Sequence, residues 1–109
     1  MSDLFQVSTT LSSREEAERI GRTLVEERLA ACAQILGPIT SFYWWQDRLE
    51  SAVEWYCHLK TTAEQYSALE ARLRALHSYD VPEIVAVPIE RCGADYTAWV
   101  IKSVRFPQA

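Results

Sequence analysis

Two histidines, three cysteines and a dense aromatic run are the parts of this sequence able to do chemistry. Thiolate and imidazole are the ligands that soft and borderline cations prefer. His58, His77, Cys32, Cys57 and Cys92 contain no i, i+4 pair and no CxxC spacing. A metal site must therefore assemble in three dimensions, within a subunit or between subunits. His77 with Glu83 is the leading pair, because Pro82 turns the chain back between them. The competing role for His77 is to cap a helix C-terminus, where positive charge is favoured, leaving Glu83 to an ion pair. Cys32 is the third candidate ligand, and its competing role is a small hydrophobe at the start of a strand. His58 lies mid-strand and reads as an interface hydrogen-bonder.

Tyr43, Trp44 and Trp45, with Trp55 across a hairpin, form either a stacking floor for a small ligand or a cross-strand packing set buried between subunits. Aromatic pairs favour the second by about 0.5–1.5 kcal/mol. A mixed arrangement is an intersubunit cleft with Trp45, Lys60, Tyr79 and Glu83 at its rim, suited to a small anion or metabolite. No GxSxG, HExxH or P-loop pattern occurs, and Lys60-Thr61-Thr62 reads as a strand end followed by a capping threonine. The chain is therefore expected not to be an enzyme and to require no cofactor.

These residues need elements to hold them. Leu4–Thr9 alternates as a strand. Ser13 with Glu16 has capping-box spacing, and Ala17, Ile20 and Leu24 keep to one face of a helix running to about Leu29. Cys32–Gln46 and Glu50–Thr61 are long strands joined by a turn at Gln46-Asp47-Arg48, with a bulge or kink at Gly37-Pro38. Val53, Trp55, Cys57 and Leu59 share one face of the second long strand. Thr62 opens a second helix, with Tyr66, Leu69, Leu73 and Leu76 as its buried stripe. Ile84–Ile89 is an apolar run, as in a strand buried on both faces. Gly93-Ala94-Asp95 opens a last helix carrying Tyr96, Trp99, Val100 and Val104.

The order β-α-β-β-α-β plus a terminal helix predicts an α+β, ferredoxin-like sandwich, with a four-stranded antiparallel sheet and both main helices on one face. The second face, with Leu4, Tyr56, Ile84 and Ala86 as its candidates, is left bare. A bare, partly apolar face on a small domain marks an interface. The 109 residues make a single domain, 1–109. Four tryptophans, five tyrosines and three phenylalanines ask for more burial than a small monomer offers. A net charge of −4 with no basic cluster excludes a typical nucleic-acid binder, and no apolar run approaches a membrane span. The odd, scattered cysteines and the absence of a basic-then-apolar N-terminus lead to the expectation of a cytoplasmic protein with reduced thiols.

Five segments, in order and at matching intervals, resemble the CutA divalent-cation tolerance family: Leu29-Ala30-Ala31-Cys32, Gly37-Pro38-Ile39-Thr40-Ser41, Tyr43-Trp44-Trp45, Lys60-Thr61-Thr62, and Leu76-His77-Ser78-Tyr79-Asp80-Val81-Pro82-Glu83. The resemblance implies a homotrimer with inward-facing sheets, hairpins pairing across subunits, and an assembly like that of PII-type signalling proteins. It implies a role in tolerance of divalent cations, copper above all, and hence Cu2+ or another divalent cation as a ligand. The chain departs from the family at Asp47, where Gly is usual, and at Ser78, where Pro is usual. Ser8 and Arg72 stand where some copper-binding relatives carry Cys, which argues against a thiolate copper site. Two other expectations stand beside cation tolerance: a PII-like effector-binding or scaffold protein, and a stable platform for protein contacts.

Overall fold

The computed structural model describes residues 3–104. Its elements are β1 (Leu4–Leu11), α1 (Arg14–Glu26), β2 (Cys32–Trp45), β3 (Arg48–Thr62), α2 (Tyr66–Leu76), β4 (Val85–Pro88) and α3 (Ala94–Ser103). The sheet order is β2-β3-β1-β4, and every neighbouring pair is antiparallel. This is the expected ferredoxin-like topology.

Each helix boundary has a local cause. The Ser13 hydroxyl accepts the Glu16 N–H at 3.1 Å and starts α1. The end of α1 comes earlier than the periodicity predicts. Leu29 N–H reaches back to Leu24 O and Arg28 N–H to Val25 O, a Schellman closure with Arg28 at φ 64° in the glycine-favouring region. The signal was hidden because an arginine, not a glycine, occupies the left-handed position. α2 begins at Tyr66, later than expected, because Thr62 is still paired in β3 with Leu4. Thr62 is not its cap: the Thr62 hydroxyl accepts the Gln65 N–H at 3.2 Å within the preceding turn, and the N-cap position falls to Gln65, which makes no side-chain cap bond.

The core lies between the sheet and α1 with α2. Val7, Leu11, Cys57 and Leu59 from the strands meet Ile20, Leu24, Leu69 and Leu73 from the helices, all fully buried. A Cβ on Gly21 would sit 2.9 Å from the Ala33 Cβ, so only glycine lets α1 approach the sheet this closely.

The second face is not wholly bare. Leu4, Ala31, Val100 and Val104 form a separate buried cluster, so α3 covers one end of it. The assignment of Ile84 and Ala86 to this face is reversed. Both pack on the main core, because the register Val7↔Ala86 puts Ala86 on the helix side. Val85 and Val87 are the residues that face out, about half exposed, where a strand buried on both faces was expected.

The candidate groove and its acidic lining

β2 and β3 run as a hairpin from Ile39↔Glu54 to Trp45↔Arg48. The turn between them is two residues long, with Gln46 at φ 51° and Asp47 at φ 63°. Two consecutive positive φ values make a type I′ turn, whose twist matches that of the strands it joins. Asp47 thus does what glycine does more easily. The register skips between Leu36 and Ile39, giving the bulge expected at Gly37-Pro38. A Cβ on Gly37 would lie 2.5 Å from Cδ1 of Trp55, so glycine admits the indole there. This corrects the aromatic floor. Trp55 pairs with Leu11 and packs on the core, whereas Trp45 lies at the hairpin tip opposite Arg48.

The connector after α2 is tied to the sheet through His77. The ring Nε2 lies 3.0 Å from the Thr10 carbonyl oxygen and 3.0 Å from the Thr9 hydroxyl. A carbonyl only accepts, so Nε2 carries the proton. Nδ1 accepts the Tyr79 N–H at 3.1 Å, so it carries none. Burial holds His77 below the usual imidazole range, against the opposing pull of the Thr10 carbonyl and of Glu16 and Glu54. His77 does stand at the C-cap of α2, but as a neutral ring anchored to β1.

Two residues on, the Tyr79 hydroxyl donates to Glu54 at 2.8 Å. Glu54 is only 8% exposed. Its alternation with Tyr56 and His58 places it on the face opposite the helices. The connector therefore passes from the helix layer around the end of β1 onto the open face. Burial, then the Glu54 bond, pushes the Tyr79 phenol well above its ordinary range. Glu83 is raised by burial first and by the Glu54 charge second.

A groove of about 570 Å³ opens between hairpin and connector, lined by Tyr43, Trp45, Glu54, Tyr79, Asp80 and Glu83 among others. Three of these are carboxylates, and no lysine or arginine lines it. The predicted cleft residues Trp45, Tyr79 and Glu83 meet here. Lys60 does not: it lies six residues along β3 from Glu54, roughly 20 Å away at strand rise, and its ammonium donates to Gln34 Oε1 at 3.2 Å. Without Lys60 the single subunit offers a cation, not an anion, a favourable field. The residue the sequence pattern did not single out is Glu54. The pattern hid it, because Glu54 alternates with Glu50, Tyr56, His58 and Lys60 on one face of β3, a face that reads as solvated.

The three candidate metal ligands do not converge in one subunit. Cys32 pairs with Lys60 at the far end of the sheet, and its thiol lies 3.5 Å from the Tyr96 hydroxyl. Both ring nitrogens of His77 are engaged. Burial pushes the Cys57 thiol up to about 12, so it is a neutral thiol near pH 7. His58 bonds Ser8 at 2.8 Å and stacks on Tyr56. Among the described residues no group of three or more His, Cys, Asp or Glu side chains is placed to hold a metal ion.

Comparison with known proteins agrees with the fold. The family model for the CutA1 divalent ion tolerance protein matches residues 5–103. The divalent-cation tolerance protein CutA of Archaeoglobus fulgidus is 42% identical over 95 residues, 87% of this chain and 92% of the relative. That of Thermus thermophilus is 44% identical over 94 residues, 86% of this chain and 91% of the relative. The crystal structure of CutA from Xylella fastidiosa superposes with a TM-score of 0.92 at 36% identity, covering 95% of this chain and all of that one. A match from one end of the described fold to the other, at this level of identity, places the chain in the CutA1 divalent ion tolerance protein family.

Proposed function

We propose that this chain is a homotrimeric, non-enzymatic divalent-cation tolerance protein. The observation that carries the assembly is the exposed apolar surface of the hairpin and open sheet face. Leu36, Trp45, Val85 and Val87 on that face are each 45–59% exposed, and Phe42 and Trp44 at the tip are more than 70% exposed. A soluble monomer rarely leaves so much contiguous apolar area in water. Copies of the chain are the partner proposed, with neither nucleic acid nor membrane involved. Among the described residues no helix is long and apolar enough to cross a membrane. The compartment proposed is the cytoplasm, where three unpaired cysteines stay reduced; a relative from Archaeoglobus fulgidus is described as periplasmic. Trp45→Ala should shift assembly towards the monomer in sedimentation velocity; an unchanged, equally stable oligomer would remove Trp45 from the interface.

Copper(II) is the divalent cation proposed as ligand, bound weakly and required for neither folding nor assembly. His77 can coordinate only by giving up its bond to Tyr79, which fits low affinity. Calorimetric titration with Cu2+ should show weaker binding by His77→Ala than by the unmodified chain. Equal binding would place the ion elsewhere.

A second reading is favoured by the groove itself. Its volume lies within the range of small-molecule sites, so the trimer would act as an effector-binding protein of the PII kind. Thermal-shift measurements distinguish the two readings: stabilisation by a small molecule and none by metal salts supports the second.

A further inference from the structure

His58 is the group on the open sheet face whose ordinary titration falls near neutral pH. It sits on β3, a central strand, opposite Ser8 of β1 and Gln34 of β2. Paired residues share a face, so His58 stands in the middle of the surface that copies of the chain are proposed to cover. Its ring is held there from two sides. Nδ1 lies 2.8 Å from the Ser8 hydroxyl, and the ring stacks on Tyr56 with centroids 4.9 Å apart and planes at 19°.

The surroundings within the subunit favour the neutral ring. On this face β1 and β4 carry no titratable side chain, and β2 brings the Cys32 thiol, which contacts the Tyr96 hydroxyl of α3. β3 itself brings Tyr56 and Lys60. Burial, then the Lys60 ammonium, hold His58 below the usual imidazole range. Glu54, four residues back on the same face, is about 13 Å away at strand rise and accepts the Tyr79 hydroxyl.

Covering the face with copies changes these surroundings only within what the same chain carries. The strands bring two carboxylates to it, Glu54 and Glu50. Glu54 is committed to Tyr79. Glu50 pairs with Tyr43 on the hairpin, about 27 Å along β3 from His58. Lys60, two residues from His58, arrives with every copy. Assembly therefore takes water from an imidazole ring in each subunit, and the nearest formal charge on its strand is positive.

We propose that protonation of His58 opens the homotrimer, so that assembly is tight near neutral pH and loosens on acidification. The proposal rests on the homotrimer reading and adds a switch to it. A separated subunit charges the ring in contact with water, whereas an assembled one must bury the charge. The assembled state thus binds fewer protons. Assembly is at full strength above the ordinary imidazole pKa of about 6.5 and weakens as pH falls below it. With one ring per copy, the dissociation constant rises by at most about a thousandfold per pH unit. The Ser8 hydroxyl can accept from the charged ring, so the change falls on the contact between copies rather than on the fold of each.

The test is sedimentation equilibrium of the full chain over a dilution series at pH 8, 6.5 and 5.5, at constant ionic strength, for the parent and for His58→Gln. Glutamine keeps a hydrogen-bonding group beside Ser8 and takes no charge. Far-ultraviolet circular dichroism at each pH separates dissociation from unfolding. NMR follows the two histidine rings of the parent, with the His77 signal assigned by its loss in His77→Gln. The parent should dissociate at least about tenfold more readily at pH 5.5 than at pH 8, and His58→Gln should change several-fold less. The His58 ring of the assembled protein should titrate below about 6.5. Parallel profiles for the two proteins, or a parent that stays assembled at every pH and dilution, overturn the proposal. Tighter parent assembly in acid also overturns it, by showing that a neighbour's carboxylate meets the ring. A ring titrating at or above about 6.5 does the same, even where His58→Gln fails to assemble. A monomeric parent at pH 8 overturns the homotrimer reading and this proposal together, whereas an oligomer with parallel profiles overturns this proposal alone.

Discussion

His77, Tyr79 and Glu54 form one hydrogen-bonded chain from the backbone of β1 to the middle of β3. Each link has a fixed polarity, so each can be broken by a defined change. Tyr79→Phe keeps the ring beside His77 and removes only the donor to a buried carboxylate. It should cost about 1–3 kcal/mol in urea unfolding at fixed protein concentration. A loss too small to measure would mean that solvent satisfies Glu54. The His77 ring makes a pH prediction. Its native pKa lies below its ordinary value of 6.5, so the unfolded chain takes up a proton first as the solution is acidified. The stability it contributes is complete above about pH 6.5 and is lost as pH falls through the native value. Denaturation midpoints from pH 8 to pH 5 should therefore fall less steeply in His77→Gln than in the parent. Parallel slopes would show that the ring is not held neutral. The sequence offered His77, Tyr79 and Glu83 as site residues but assigned His77 to metal or to a charged cap. Nothing in a one-dimensional pattern reveals that the Thr10 carbonyl waits at Nε2. Lys60 stands roughly 20 Å along the strand from Glu54 within one subunit, so only a neighbouring subunit's lysine can reach the cleft expected between subunits.

At the scale of elements, strands β2 and β3 and their turn were legible because alternation, a polar break and Gly37-Pro38 are local signals. Two features were not. The end of α1 depends on Arg28 adopting a left-handed conformation, which tertiary packing of Leu29 enforces. The facing of β4 depends on its register against β1, and a one-residue slip exchanges Ile84 and Ala86 for Val85 and Val87. Gly37 was recognisable as a kink, but its second purpose, making room for Trp55, needed the fold. Gly37→Ala should force the indole or the strand aside and cost about 1–3 kcal/mol, read as a lowered unfolding midpoint with a disturbed near-ultraviolet circular dichroism spectrum. Retained stability with the native spectrum would mean that the bulge can yield without moving the ring.

For the whole molecule, the distribution of apolar surface is the dominant fact. The helices close one side of the sheet and α3 closes one end of the other. The remaining open face and the hairpin tip carry tryptophan, phenylalanine, leucine and valine into solvent. Composition by itself implies this excess, since a chain of 109 residues with four tryptophans has too little interior for them. What composition does not give is the symmetry number, which enters through the family resemblance. The direct measurement is sedimentation equilibrium of the purified chain over a dilution series reaching the low micromolar range. A single species at about three times the 12.5 kDa chain mass, unchanged on dilution, is the predicted result. A homogeneous, well-folded 12.5 kDa species throughout the series would contradict it.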